Sequence, residues 1–134
     1  MTKIDWVIPY IGIPYKSKGG GFDGCDCWGL MRLVYQEQKG IILPDFSGLY
    51  DDANDAAQAA STIVSGIPSF VKSETPAVFD IIILRIMGWD CHCGLYLGEG
   101  KMLHSMQGHA AAIEDIDSHK WKDRIGGFFG WAKN

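Results

Sequence analysis

The sequence predicts an α+β fold, helices first and an antiparallel sheet after them, on three observations. A strongly helical segment follows a glycine-rich loop near residue 27, and an alanine-rich segment occupies 51–66. After Pro76 the texture changes to short apolar runs divided by turns. The chain carries no internal repeat and no low-complexity tract. Its 134 residues are the size of one unit, so 1–134 reads as a single domain.

Taken in order, residues 5–15 mix apolar and aromatic residues with Pro9, Gly12 and Pro14, which predicts a short helix or turn and then an extended stretch. "KSKGGG" (16–21) reads as a flexible polar loop. Asp23 or Asp26 caps the helix "CWGLMRLVYQEQ", and Lys39-Gly40 closes it with a basic last turn and a C′ glycine. Leu30, Met31, Val34 and Gln38 follow Cys27 at helical spacing, which sets Cys27 in the first turn at the edge of the core. Residues 44–50 read as loop, and 51–66 as a helix with an acidic start (51, 52, 55) and Gly66 as its stop. "IPSFVKSETP" is a connection or short extended piece. Strands are predicted at 78–86, 91–98, 101–107, 110–116 and 126–132, joined as a meander.

Composition narrows the function. Apolar residues at 47% and charged residues at 21% are globular and argue against disorder. With 12 basic and 16 acidic residues, a net charge of −4 and no basic block, nucleic acid and anionic membrane surfaces are poor partners. The longest apolar stretches, such as 78–84, are too short to span a bilayer. "MTKIDWVIPY" has an early Asp5 and no apolar segment ending in small residues, so no secretory signal is read and synthesis in a cytosol is expected.

The chemistry lies in four cysteines and four histidines. Cys25, Cys27, Cys91 and Cys93 form two C-x-C pairs, which in a reducing compartment read as metal site or catalysis. Neither has the C-x-x-C spacing of structural zinc. In "DCHCGLYLG" alternation puts His92, Gly94 and Tyr96 on one face and Cys91 and Cys93 on the other. A three-residue loop at 98–100 would pair Leu97 with Lys101 and Gly94 with His104. His104 would then stand diagonal to His92, about 7–8 Å away between backbones, with Gly94 leaving room for the ring. A two-residue loop would put the histidines on opposite faces. A cysteine attacks as thiolate, and a helix N-terminus and an imidazolium both lower its pKa. Cys27 has the first and His92 supplies the second if the helix packs on the sheet, while His104 fixes the tautomer of His92.

"GFDGCDCWGL" followed by "CHCGLYLGEGKMLHS" resembles the NlpC-type cell-wall peptidases, papain-like enzymes that cut the peptide stems of bacterial murein. Asp26-Cys27-Trp28-Gly29-Leu30 fits the nucleophile motif, and His92, Gly94 and His104 fit the strand–turn–strand that carries the base and a second histidine. Tyr15 stands twelve residues before the cysteine (27 − 15 = 12), where the family places a tyrosine near the oxyanion. The resemblance spans about Ile11 to Ser105. It implies a papain-like fold, Cys27, His92 and His104 as the catalytic set, and Tyr15, Asp26 and Trp28 on the oxyanion and substrate side. It also implies a scissile bond after γ-linked D-glutamate, with no cofactor and no metal. Trp28 replaces the small residue usual after the cysteine, and Cys25 is additional. A phage-associated branch is similar in both respects, so a virion tail setting with other tail proteins as partners is expected.

Other readings stand beside these. The chain could be a non-catalytic structural tail or assembly protein. As a metal-binding module, it would need Cys25, Cys27, Cys91 and Cys93 to converge on an ion. Core packing is otherwise expected for Cys91 and Cys93, a structural place for Cys25 and a surface place for His109 and His119. Among the tryptophans, Trp28 and Trp89 are best placed to line a groove, with Trp6, Trp121 and Trp131 divided between core and rim.

Overall fold

A computed structural model describes residues 5–45, Ala60, Ile63, Pro68 and 70–131. The described chain begins in a tight 3-10 turn, Asp5–Tyr10, that buries Val7 and Tyr10. Where a flexible loop was expected, two short strands, β1 (Gly20–Gly21) and β2 (Gly24–Cys25), pair as a small hairpin. It leads into the helix α1 (Cys27–Val34). Asp26, and not Asp23, is the cap: its backbone is extended and its Oδ1 accepts the Gly29 N–H at 2.8 Å. The other oxygen accepts the Lys18 N–H at 2.9 Å, so one carboxylate ties the helix start to the loop before it. Leu30, Met31 and Val34 are fully buried as their spacing requires. Gln38, next on the stripe, is exposed and instead donates to the Tyr10 hydroxyl at 3.0 Å. The helix widens into a π-type turn, Tyr35–Lys39, and Gly40 ends it with a left-handed backbone (φ 67°). The alanine-rich segment lies outside the described residues, its acidic start included, apart from Ala60 and Ile63, which are helical and buried.

Six antiparallel strands follow: β3 (Phe70–Lys72), β4 (Ile81–Ile86), β5 (Trp89–Gly98), β6 (Lys101–Met106), β7 (His109–Asp115) and β8 (Ile125–Trp131). Their order is β3-β8-β4-β5-β6-β7. Strands β4 to β7 make the expected meander, but β8 does not extend it. It crosses back between β3 and β4, pairing Gly130 with Val71 and Phe128 with Ile82. There Trp131 meets Phe70 edge-on (5.2 Å) and Phe128 meets Tyr96 (5.6 Å), so the strand buries aromatic surface on both sides. One face of the sheet, with Ile81, Ile83, Cys93, Leu95 and Leu103, packs on Leu30, Met31 and Val34 of α1. The other face, with Ile82, Leu84 and Met102, lies under Ile116 and Trp121 from the segment between β7 and β8. Burial on both faces explains why residues 81–84 are an unbroken apolar run rather than an alternating one.

The β5–β6 turn has two residues, Glu99 and Gly100, both left-handed, with Gly98 opposite Lys101. The three-residue loop expected from the sequence is therefore absent. An inserted residue, Leu97, bulges between Gly98↔Lys101 and Tyr96↔Met102, and beyond it Leu95 faces Leu103 in the register first expected. His92 and His104 thus share a face after all. A Cβ added to Gly94 would lie 3.4 Å from the His104 Cβ and 3.0 Å from the Met102 sulfur, which is the room the imidazole uses. A second bulge, where Ala110 and Ala111 oppose Ser105, shifts β7 before His104 meets Ala112.

Candidate active site

The paired ladder between β5 and β6 ends at Leu95↔Leu103, so residues 92–94 extend beyond it, and the first turn of α1 meets β5 there. Cys27, half-buried, lies against both Cys93 and His92. Its thiol is held well below the ordinary range. The Cys93 side chain bonded to it is the largest cause; burial opposes this, and the hydrogen bond and charge of His92 and the Cys93 backbone N–H lower it further. The Cys93 thiol moves in the opposite sense, raised first by its bond to Cys27 and then by burial. Burial also raises Cys25, to about 11, and Cys91. Of the four thiols only Cys27 is lowered, at the first turn of a helix whose dipole favours an anion.

Behind His92 runs a buried polar row. His92 Nε2 lies 2.8 Å from His104 Nδ1, and the rings are 4% and 3% exposed. His104 Nε2 lies 2.6 Å from Glu114 Oε2, and Glu114 Oε1 accepts the Trp121 indole N–H at 3.0 Å. Trp121 stacks on His92 (5.9 Å between centroids) and stands edge-on to His104 (5.4 Å). Burial, reinforced by the charge of His92, lowers the pKa of His104 to about 4, against the opposing pull of Glu114. Burial works against ionisation of Glu114, but its bonds to Trp121 and His104 prevail and its pKa is lowered. At neutral pH this is a carboxylate holding a neutral imidazole.

That arrangement has a consequence for stability. His104 titrates near 6.5 when unfolded and about 4 when folded, so the unfolded chain binds the extra proton first as pH falls. Its contribution is present above pH 6.5 and lost on descent to about 4, a difference of roughly 3 kcal/mol. The groups that act on it are His92, Glu114 and Lys120. Urea unfolding at pH 7 and 4.5 is expected to show this loss, and a His104→Gln chain a shallower slope; equal slopes would assign the loss elsewhere.

The other residues predicted for the site fall differently. Tyr15 pairs through its backbone with Cys25, two residues before the thiol, and is half-buried. Asp26 is buried with both oxygens bonded to backbone N–H groups, which makes it a scaffold for the helix start rather than a wall of the substrate site. Trp28 is not on a groove: only 6% exposed, it meets Phe70 edge-on and its Nε1–H donates to the Pro44 carbonyl at 2.9 Å. Its place one residue after Cys27 turns it into the core. Trp89 is exposed, as a rim residue would be. His109 and His119 are exposed, and Cys91 contacts the Ile86 carbonyl. Cys93 packs in the core as expected but also touches the Cys27 thiol, because the helix side of β5 is where the thiol arrives. Among the described residues, no three His, Cys, Asp or Glu side chains are arranged to hold a metal ion, and no helix is long and apolar enough to cross a membrane. Glu114 was not anticipated from the sequence; Trp121, expected in core or rim, is buried, and its bond to Glu114 is the part the sequence did not show.

Fold and site together define a papain-like α+β protein, with a cysteine at a helix start set against an imidazole on an antiparallel sheet. The chain belongs to the NlpC/P60 family, whose model matches residues 12–129. It is 26% identical over 119 residues to the gamma-DL-glutamyl hydrolase of Bacillus subtilis, covering 88% of this chain and 26% of that one. To the murein DD-endopeptidase MepS/murein LD-carboxypeptidase of Escherichia coli it is 22% identical over 121 residues, covering 90% and 57% respectively. It therefore spans about a quarter and somewhat over half the length of these relatives. In fold it resembles an NLP/P60-family protein, similar to lipoprotein, from Staphylococcus aureus: TM-score 0.68, 23% identity, 98% of this chain and 40% of that one.

Proposed function

We propose that this chain is a cysteine endopeptidase of peptidoglycan stem peptides, cutting after γ-linked D-glutamate and before the diamino acid. The observation that carries the reading is the lowered Cys27 thiol set against a His92 ring that is itself bonded to His104. His92 takes the proton of Cys27, and the thiolate attacks the scissile carbonyl carbon. The developing oxyanion meets the Cys27 backbone N–H at the start of α1 and the Tyr15 hydroxyl. His92 then protonates the leaving amine, and water, deprotonated by the same ring, releases the acyl group. Side chains and backbone N–H groups thus supply each step. The names of the two bacterial relatives support the γ-glutamyl bond and the murein substrate respectively.

Because the Cys27 pKa is lowered, the thiolate persists below the ordinary thiol range, and activity is expected to fall only as pH drops through that lowered value. Purified murein incubated with the protein is expected to release peptides whose new C-terminus is D-glutamate, identified by mass. An intact fold that releases none overturns the reading. We place the protein in a phage tail, supported by Trp28 and Cys25, which it shares with the phage-associated branch; mass spectrometry of purified particles checks that setting.

A further inference from the structure

Glu114 is a part of this site that the hydrolase reading leaves without a role. An ionised carboxylate only accepts hydrogen bonds, and an indole N–H only donates. With Oε1 engaged by Trp121 at 3.0 Å, Oε2 at 2.6 Å from His104 Nε2 requires the proton of that ring to sit on Nε2. His104 Nδ1 is then a bare acceptor, and 2.8 Å from it His92 Nε2 must be the donor. With Nε2 of His92 committed to that bond, Nδ1 is left to take the proton of Cys27. We propose that Glu114 is a positioning residue that sets the tautomers of both imidazoles, so that the Cys27 thiolate and the His92 imidazolium form a pair. The proposal rests on the cysteine-peptidase reading for its purpose, but not for its geometry.

The neutral state of His104, held by burial and the charge of His92, is the one the relay needs, because a protonated His104 would face His92 with a second donor. Lys120 also faces the pair: it lowers both His104 and Glu114 and lies over the Trp121 ring at 5.0 Å.

Substitution by Gln separates this role from packing. A carboxylate accepts from Trp121 and His104 together, whereas an amide of the same shape accepts from only one. With its oxygen on Trp121, its NH₂ donates to His104 Nε2, the His104 proton moves to Nδ1, and the His92 Nε2–H loses its acceptor. An isosteric replacement is therefore expected to harm the site more than truncation does. Murein hydrolysis should fall about 10²-fold in Glu114→Gln and about 10-fold in Glu114→Ala. Two measurements need no substrate: the pH profile of Cys27 alkylation by iodoacetamide should move to higher pH in Glu114→Gln, and imidazole nitrogen NMR shifts should move the His104 proton from Nε2 to Nδ1. Adding Trp121→Phe to Glu114→Gln removes the indole donor, lets the amide turn its oxygen to His104, and is expected to restore the alkylation profile in large part.

Glu114→Gln as reactive as Glu114→Ala, or more so, overturns the proposal, as does a double variant with no recovery. If Glu114→Gln does not fold, the wild-type spectrum decides alone: His104 protonated on Nδ1 overturns the proposal, and on Nε2 it supports it. Absence of murein cleavage by the wild type would defeat the hydrolase reading while alkylation and NMR still report on Glu114.

Discussion

Cys27→Ala is expected to lower murein hydrolysis by about 10⁶-fold, the scale on which nucleophile and base act as one unit. Cys27→Ser should fare little better, because the bonds that bring a thiol into the ionising range cannot do so for a hydroxyl, which is far less acidic. Selectivity among the four cysteines gives a second view of the same residue. Cys25, Cys91 and Cys93 are raised, the first to about 11, while Cys27 alone is lowered. At neutral pH, iodoacetamide is therefore expected to modify one thiol, and peptide mapping should place the label on residue 27. Label on Cys93 would mean that the proton is shared the other way; full activity in Cys27→Ala would remove the nucleophile altogether.

Gly29→Ala is expected to destabilise the fold by about 3–4 kcal/mol, although alanine is the better helix former by about 1 kcal/mol. A Cβ at Gly29 would lie 1.8 Å from the Gly19 carbonyl oxygen and 3.0 Å from Asp26 Oδ1. The nearest obstacle is backbone, which cannot rotate aside as a side chain can. Relief requires the loop before β1 to move away from α1, breaking the 3.2 Å bond from the Asp26 N–H to the Gly19 carbonyl. The hairpin that seats Cys27 would shift with it, so activity should fall further than stability alone explains. Chemical denaturation measures the first effect, and the rate in conditions where the variant is folded measures the second. A Gly29→Ala protein as stable as the wild type would mean that α1 and the hairpin are not packed this closely.

The histidine pair was legible because alternation is local: His92, Gly94 and His104 declare their face within a few residues. The route to that register was not legible. The turn is shorter than expected, and Leu97 supplies the missing step. The same limit hid Glu114. The two-residue turn at Gln107-Gly108, continued without interruption, would oppose Glu114 to Lys101 and send it to the far face; the bulge at Ser105 instead opposes it to Met102, diagonal to His104. The return of β8 to the middle of the sheet is a pairing between distant segments, with no local mark in the chain. Trp121 lies in a non-periodic segment, and Trp28 looked like a rim residue only because its neighbour is the thiol.

The Leu97 bulge gives the hairpin tip a slack that does not reach His92, about 17 Å away along the strand. Without Leu97, Gly98 would follow Tyr96 directly and still face Lys101, Met102 would still oppose Tyr96, and the second ring would keep its side. A tip shorter by one residue is absorbed as an even ladder, so this end of the hairpin tolerates a drift in length that the stretch beside the rings does not.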